Sequence, residues 1–245
     1  MGGRVLWVGT CGFGRRRADV FRDLGAMEVQ QTFYRPVPPE AASRWAADAP
    51  GDFLFAVKAS QFITHEASSP TYRRAGRTIP AAEAADYGGF RATERVEEGW
   101  RATVAAADAL RARVLVFQCP ASFAPTPENL AALYAFFESH PTSAVRAWEP
   151  RGPWPSHLVG KACEDLGLVH AVDPFAAEPA TSGLAYFRLH GSPPGPSPYR
   201  YTYTGADLAR LKANAEEYDG AYVMFNNLTM HADAARFRRL QAASA

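Results

Sequence analysis

AVRAWEPRGPWPSHLVGKACEDLGLVHAVD, residues 144–173, reads as a strand, a helix and a second strand. Ala144 to Glu149 is a short apolar run that ends in a carboxylate, and Leu168 to Asp173 is another. Between them Ser156 offers a cap to a helix that runs to Leu166, and Gly167 supplies its stop. Two strands joined through a helix lie parallel in one sheet. The unit therefore predicts an α/β fold, with both carboxylates at the same end of that sheet.

The pattern repeats in both directions. Val5 to Gly9, Met27 to Tyr34, Phe53 to Ala59 and Val114 to Cys119 precede this unit as strand-length runs; Ala185 to His190 and Ala221 to Asn226 follow it. Helical stretches alternate with them. Pro39 to Ala47 opens on prolines, Val96 to Leu110 is alanine-rich, and Pro127 to Glu138 follows the N-cap candidate Thr126. A helix begins after Thr204 or Gly205 and runs to Glu217, and the last spans His231 to Ala242. Eight strands alternating with helices predict a single (β/α)8 TIM-type barrel over residues 1–245. An open doubly wound sheet is disfavoured, because the Gly9–Gly14 stretch lacks the GxGxxG spacing and no clear helix opens behind it. One connection is long: residues 60–95 form an insertion after the third strand. On the site face of a barrel it reads as a lid or wall, or as a decoration of the rim.

Composition excludes several classes. The net charge is +1, so no global excess draws the chain to nucleic acid or membrane. No apolar run reaches the length of a bilayer span, and the opening residues lack the features of a secretory signal. Cys11, Cys119 and Cys163 form no CxxC pair and read as reduced, buried thiols. A cytoplasmic protein without membrane partners is expected; oligomeric state is not legible.

Each run turns polar at its C-terminal end, and in a barrel these ends share one face. They supply Lys58, Gln118, Glu149, Asp173, Arg188, His190 and Asn226, with Thr32 and Tyr34 at the end of the second run. Polar groups buried there need partners or a ligand. The catalytic candidates are His190, Glu149, Asp173 and Lys58. Lysine can hold an anion or act as a base, histidine can move protons, and paired carboxylates can divide acid and base roles. Internal ion pairs among Lys58, Glu149, Asp173, Arg151 and Arg188 explain the same residues structurally. Glu28 is the one comparable polar group at an N-terminal strand position.

The loops on this face carry Arg15, Arg16, Arg17, Arg73, Arg74, Arg77, Arg151 and Arg200, with Phe62, Tyr72, Tyr199, Tyr201 and Tyr203 among them. Guanidinium forks suit phosphate, and arginine with aromatic faces also suits single-stranded nucleic acid. Substrate-contact candidates are Arg151, Arg188, Tyr34, Thr32, His65, Gln118, Tyr201 and Asn226. A divalent metal on Glu149, Asp173, His190 and His65 is the weaker possibility, since no metal-binding spacing is present. No cofactor fingerprint appears. The expectation is an enzyme, with hydrolysis as the default, acting on a small phosphate-bearing anion. The alternative is a nucleic-acid or metabolite binder without turnover.

These motifs resemble those of a known family. Gly9-Thr10-Cys11-Gly12-Phe13 looks like its G-T-S-G-W, and Glu28 to Arg35 like its E-(I/V)-N-x-T-F-Y-R. Phe55 to Lys58, Ile63-Thr64-His65, Gln118 to Phe123 and Glu149 to Arg151 with Trp154 continue the series. Phe187 to Gly191, Tyr199 to Tyr203 and Phe225 to Asn227 complete it. The chain resembles the YecE-like family, DUF72, over nearly its whole length. That resemblance implies a TIM-type barrel and no particular activity. Gln30, Cys11 and Phe13 stand where the family pattern has Asn, Ser and Trp.

Overall fold

The computed structural model describes residues 5–191 and 198–242. Eight strands close into a parallel barrel in chain order: β1 Val5–Cys11, β2 Ala26–Val29, β3 Leu54–Lys58, β4 Val114–Gln118, β5 Val145–Glu149, β6 Val169–Val172, β7 Leu184–Leu189 and β8 Gly220–Phe225. β8 pairs with β1 from Val5↔Gly220 to Thr10↔Phe225 and with β7 from Leu184↔Gly220 to Leu189↔Phe225. β4 and β5 run in register from Val114↔Val145 to Gln118↔Glu149. Most strand residues are fully buried, as expected where both faces of a parallel sheet are covered.

Between the strands lie α1 Arg17–Asp23, α2 Gln31–Tyr34, α3 Pro39–Asp48, α4 Gln61–Thr64, α5 Pro70–Arg74 and α6 Glu94–Leu110. After them come α7 Pro127–Ser139, α8 Ser156–Leu166, α9 Gly205–Ala215 and α10 Met230–Ala242. Thr126 caps α7 through the Asn129 amide, and Thr204 forms a reciprocal capping box with Asp207 on α9. Gly167 ends α8 in the left-handed region, as its place in sequence predicts.

Three local expectations are corrected. The second run does not stay extended to Tyr34: β2 stops at Val29, and Gln31–Tyr34 turn into α2. The Thr32 hydroxyl donates to the Lys58 carbonyl at 2.6 Å, which fastens that turn to the end of β3. Ser156 is the first residue of α8 and not its cap, the cap position being Pro155. A short helix, α1, does open after the first strand.

The residues from Ser60 to Arg95 are structured. They contain α4, α5 and a 3-10 turn at Ala81–Asp86, and they build a small core from Phe62, Tyr72 and Tyr87. Gly88 lies at φ +74°, and a Cβ there would meet the His65 carbonyl carbon at 2.2 Å. Amides of Gly88 and Phe90 donate to the carbonyls of Phe62 and Ile63 at 2.8 Å each. Only glycine allows that approach.

By contact density the chain divides into two compact units. One gathers the residues up to Val29 with 49–55 and those from Val169 onward; the other gathers 30–48 with 56–168.

Candidate functional site

In the unit built on 30–48 and 56–168, four charged or titratable groups collect around the ends of β3 and β5. Lys58 is the last residue of β3 and only 5% exposed. Its Nζ lies 3.9 Å from the centre of the Phe33 ring, so the ammonium rests on an aromatic face supplied by α2. Glu149 ends β5, is buried, and accepts from Arg151 Nε at 2.8 Å. The Arg151 side chain keeps 32% of its surface open.

His65 follows α4 and is buried. Its carbonyl accepts from the Tyr72 hydroxyl at 2.8 Å, its amide donates to the Gln61 carbonyl at 2.8 Å, and its ring meets Phe33 edge to face. Nδ1 is engaged with Thr64 Oγ1 at 2.8 Å, which leaves Nε2 as the nitrogen able to address a ligand. Burial lowers the ring's pKa to about 3, and the positive charges of Lys58 and then Arg151 act in the same direction; Glu149 opposes them. The imidazole is therefore neutral at physiological pH. Two cationic side chains, Lys58 and Arg151, thus stand with the Glu149 carboxylate and a neutral imidazole. Gln118, half-buried at the end of β4, stands in register with Glu149. Tyr34 is half-buried in α2.

The other unit holds two further polar groups. Inside the strands Arg188 and Glu28 form a bidentate pair, with Nε to Oε2 at 3.0 Å and Nη2 to Oε1 at 2.8 Å. Both side chains are at most 1% exposed. Tyr186 donates its hydroxyl to Glu28 Oε2 at 2.9 Å, and the Cys11 thiol lies 3.6 Å from the same oxygen. Arg188, expected to meet substrate, is thus committed to an internal carboxylate. Alternation put Arg188 and His190 on one face, but His190 lies beyond the end of β7.

Just past β6, Asp173 accepts from the Phe175 amide at 3.0 Å and the His190 amide at 2.9 Å, and its Oδ2 stands 3.6 Å from His190 Nδ1. The Tyr199 ring approaches His190 edge-on at 5.8 Å. Asn226, half-buried after β8, gives its amide to the Leu189 carbonyl. The Tyr201 hydroxyl goes to Asp207 in the α9 capping box, a structural use. Of the aromatics expected to face a ligand, Phe62, Tyr72 and Tyr203 are core residues.

Phe33 as the seat of Lys58, Tyr72 as the clamp on His65, and Glu28 as the partner of Arg188 were not identified from sequence. For Glu28 the signal was present: an acid in an apolar strand needs a cation. Among the described residues no three His, Cys, Asp or Glu side chains group as ligands of one metal ion. Glu149, Asp173, His190 and His65, the weaker possibility raised by the sequence, do not form such a group. All three cysteines are buried and none forms a disulfide, and burial pushes the thiols of Cys119 and Cys163 up, the latter to about 12. Among the described residues no helix is long and apolar enough to cross a membrane.

Residues 18–245 match the profile of a family described as a protein of unknown function, DUF72. A comparison with curated proteins finds no match. Among solved structures, a DUF72 family protein of Enterococcus faecalis is 19% identical, with a TM-score of 0.76 and 99% of each chain covered. A DUF72 family protein of Thermotoga maritima is 19% identical, with a TM-score of 0.67 over 97% of this chain and 99% of that one. Endonuclease IV of Thermus thermophilus shares the fold at 12% identity, with a TM-score of 0.56 over 99% of this chain and 100% of that one.

Proposed function

Because this chain belongs to the DUF72 family, whose description assigns no activity, its chemistry has to be read from its own side chains, and we propose that it is an enzyme acting on a phosphate-bearing anion at the ends of β3 and β5. The observation that carries this reading is the gathering of an ammonium buried at the end of β3, Lys58, and a guanidinium with an open edge, Arg151, around the Glu149 carboxylate and a neutral His65. Guanidinium and ammonium groups are the usual holders of phosphate.

Each residue has a role in this reading. Lys58, seated on Phe33, and the open edge of Arg151 bind the anion. Glu149 accepts the proton of an attacking water, in keeping with hydrolysis. His65, neutral and too weak a base to serve in that step, polarises or donates to the ligand through Nε2. Gln118, Thr32 and Tyr34 shape the surroundings. The name of the Thermus neighbour puts nucleic acid among the phosphate-bearing ligands to be tried, while the likeness itself is one of fold.

The test is a titration of His65 by NMR with and without inorganic phosphate and nucleoside phosphates. Anion binding cancels the field of Lys58 and Arg151, so the His65 pKa should rise from about 3 towards the ordinary value. A His65 resonance unmoved by every phosphate compound tried would refute the site.

A second reading gives proton transfer to His190, because Asp173 holds its main chain and lies near Nδ1. The readings separate by mutation once a turned-over substrate is in hand. Loss of kcat in Glu149→Gln, with His190→Gln retaining it, supports the first; the reverse supports the second.

A further inference from the structure

Along α10, apart from the strand ends, lies a groove of about 560 Å³ whose walls include Asp23, His231, Arg236, Arg238 and Arg239. Alanines at 232, 235 and 242 leave the room. That volume falls in the range of small-molecule sites.

The charges on this groove are unequal. Arg236 is held in place from behind: its Nη1 donates to the Tyr203 carbonyl at 2.6 Å and to Asp233 Oδ1 at 3.1 Å. Asp233 is fully buried and is itself fixed by Asn227 Nδ2 and Thr229 Oγ1, both at 2.7 Å. The guanidinium is thus anchored at one nitrogen, with Nε and Nη2 left to donate. Arg238 and Arg239 are exposed, and among the described residues their side chains make no hydrogen bond or ion pair. Among the described residues the one carboxylate lining the groove, Asp23, is engaged by Arg22 at 2.8 Å and by His231 Nε2 at 3.0 Å. Three arginines line it with that one engaged acid.

The macrodipole of α10 favours basic residues in its last turn, and that accounts for the place of Arg239. It does not account for the cavity, or for an Arg236 fixed by a buried carboxylate. We propose that this groove is a second anion site, separate from the strand-end group, that takes a phosphate group of a nucleotide or of a short nucleic-acid strand. Guanidinium forks match phosphate oxygens, and the alanine floor leaves space for the attached sugar.

The test uses the whole chain, with the His231 ring resonance as a local reporter. Inorganic phosphate, a nucleoside monophosphate and a single-stranded oligonucleotide are titrated into the wild type, Arg238→Gln/Arg239→Gln and Lys58→Met. The proposal expects the His231 resonance to move in the wild type and in Lys58→Met alike. It expects affinity to fall about tenfold in the double arginine variant, the scale of a lost charge-assisted hydrogen bond. Because Arg238 and Arg239 are exposed and make no side-chain bond among the described residues, that variant should fold as the wild type does. Binding by the oligonucleotide with a steep salt dependence identifies a strand as the ligand, whereas equal binding by the monophosphate identifies a small ester. A stationary His231 resonance in the wild type, or unchanged affinity in the double variant, overturns the proposal. Loss of the strand-end reading alone leaves it standing, since Lys58→Met is predicted to have no effect here.

Discussion

Two charged groups of this molecule look alike in sequence and differ in what they can do. Glu28 and Arg188 are an acid and a base inside the strands, both at most 1% exposed, with both carboxylate oxygens bonded by one guanidinium and a tyrosine hydroxyl added. Lys58, Glu149, Arg151 and His65 stand at strand ends, with Arg151 one-third open. The first group is closed off from solvent. The second reaches it through Arg151. A buried ion pair of the first kind leaves no open edge for a ligand, and its removal tests the fold. In the proposed reading the second kind has that edge, and its removal tests binding.

The largest effect is expected at the balanced pair. Arg188→Met leaves Glu28 charged and buried, and should cost about 3–5 kcal/mol in urea unfolding. Converting Glu28 to Met as well should recover most of that loss. If the single variant proves as stable as the wild type, the pair is not the structural element described here.

Next comes acid sensitivity. His65 has its pKa at about 3 in the folded chain and near 6.5 when unfolded, so the unfolded chain binds the extra proton between those values. The stabilising difference is complete above pH 6.5 and is lost as pH falls towards 3. The slope should approach about 1.4 kcal/mol per pH unit. His65→Phe should flatten the stability profile in that window, measured by unfolding at a series of pH values. A profile with the same slope in the variant would place the proton uptake elsewhere.

A smaller effect belongs to the strand-end group. Lys58→Met should weaken phosphate binding by about ten- to a hundredfold by calorimetry, the range for a hydrogen bond from a charged donor. Arg188→Met, measured where it remains folded, should bind phosphate as the wild type does; weakening in both would erase the contrast. The smallest is Tyr72→Phe, which deletes the clamp on the His65 carbonyl and keeps the ring. About 1 kcal/mol of stability should be lost, and the His65 resonance should broaden or move.

The strands were legible because apolar runs of strand length alternate with capped helices, and Thr126, Thr204 and Gly167 mark their boundaries in both sequence and structure. The end of β2 was not. Thr32, Phe33 and Tyr34 are β-prone residues, yet they turn into α2, where a hydrogen bond from Thr32 reaches a carbonyl 26 residues away, and local propensity carries no record of such a bond. Lys58 and Glu149 were read correctly as the last residues of their strands. Arg188 was placed on the right strand and given the wrong neighbour, because period-two alternation says which face a side chain takes and not how deep it lies. Its partner Glu28 sits 160 positions away, and pairing across that distance is set by barrel closure, not by spacing.

The long insertion bears on how a ligand of the proposed site would come and go. His65 is carried by a segment stitched through the amides of Gly88 and Phe90 and centred on three interlocked aromatic rings. A hinged cover would have to break those stitches with each passage, whereas a fixed wall would not. Hydrogen exchange at the Gly88 and Phe90 amides should therefore be as slow as in the central strands, and adding phosphate should leave it unchanged.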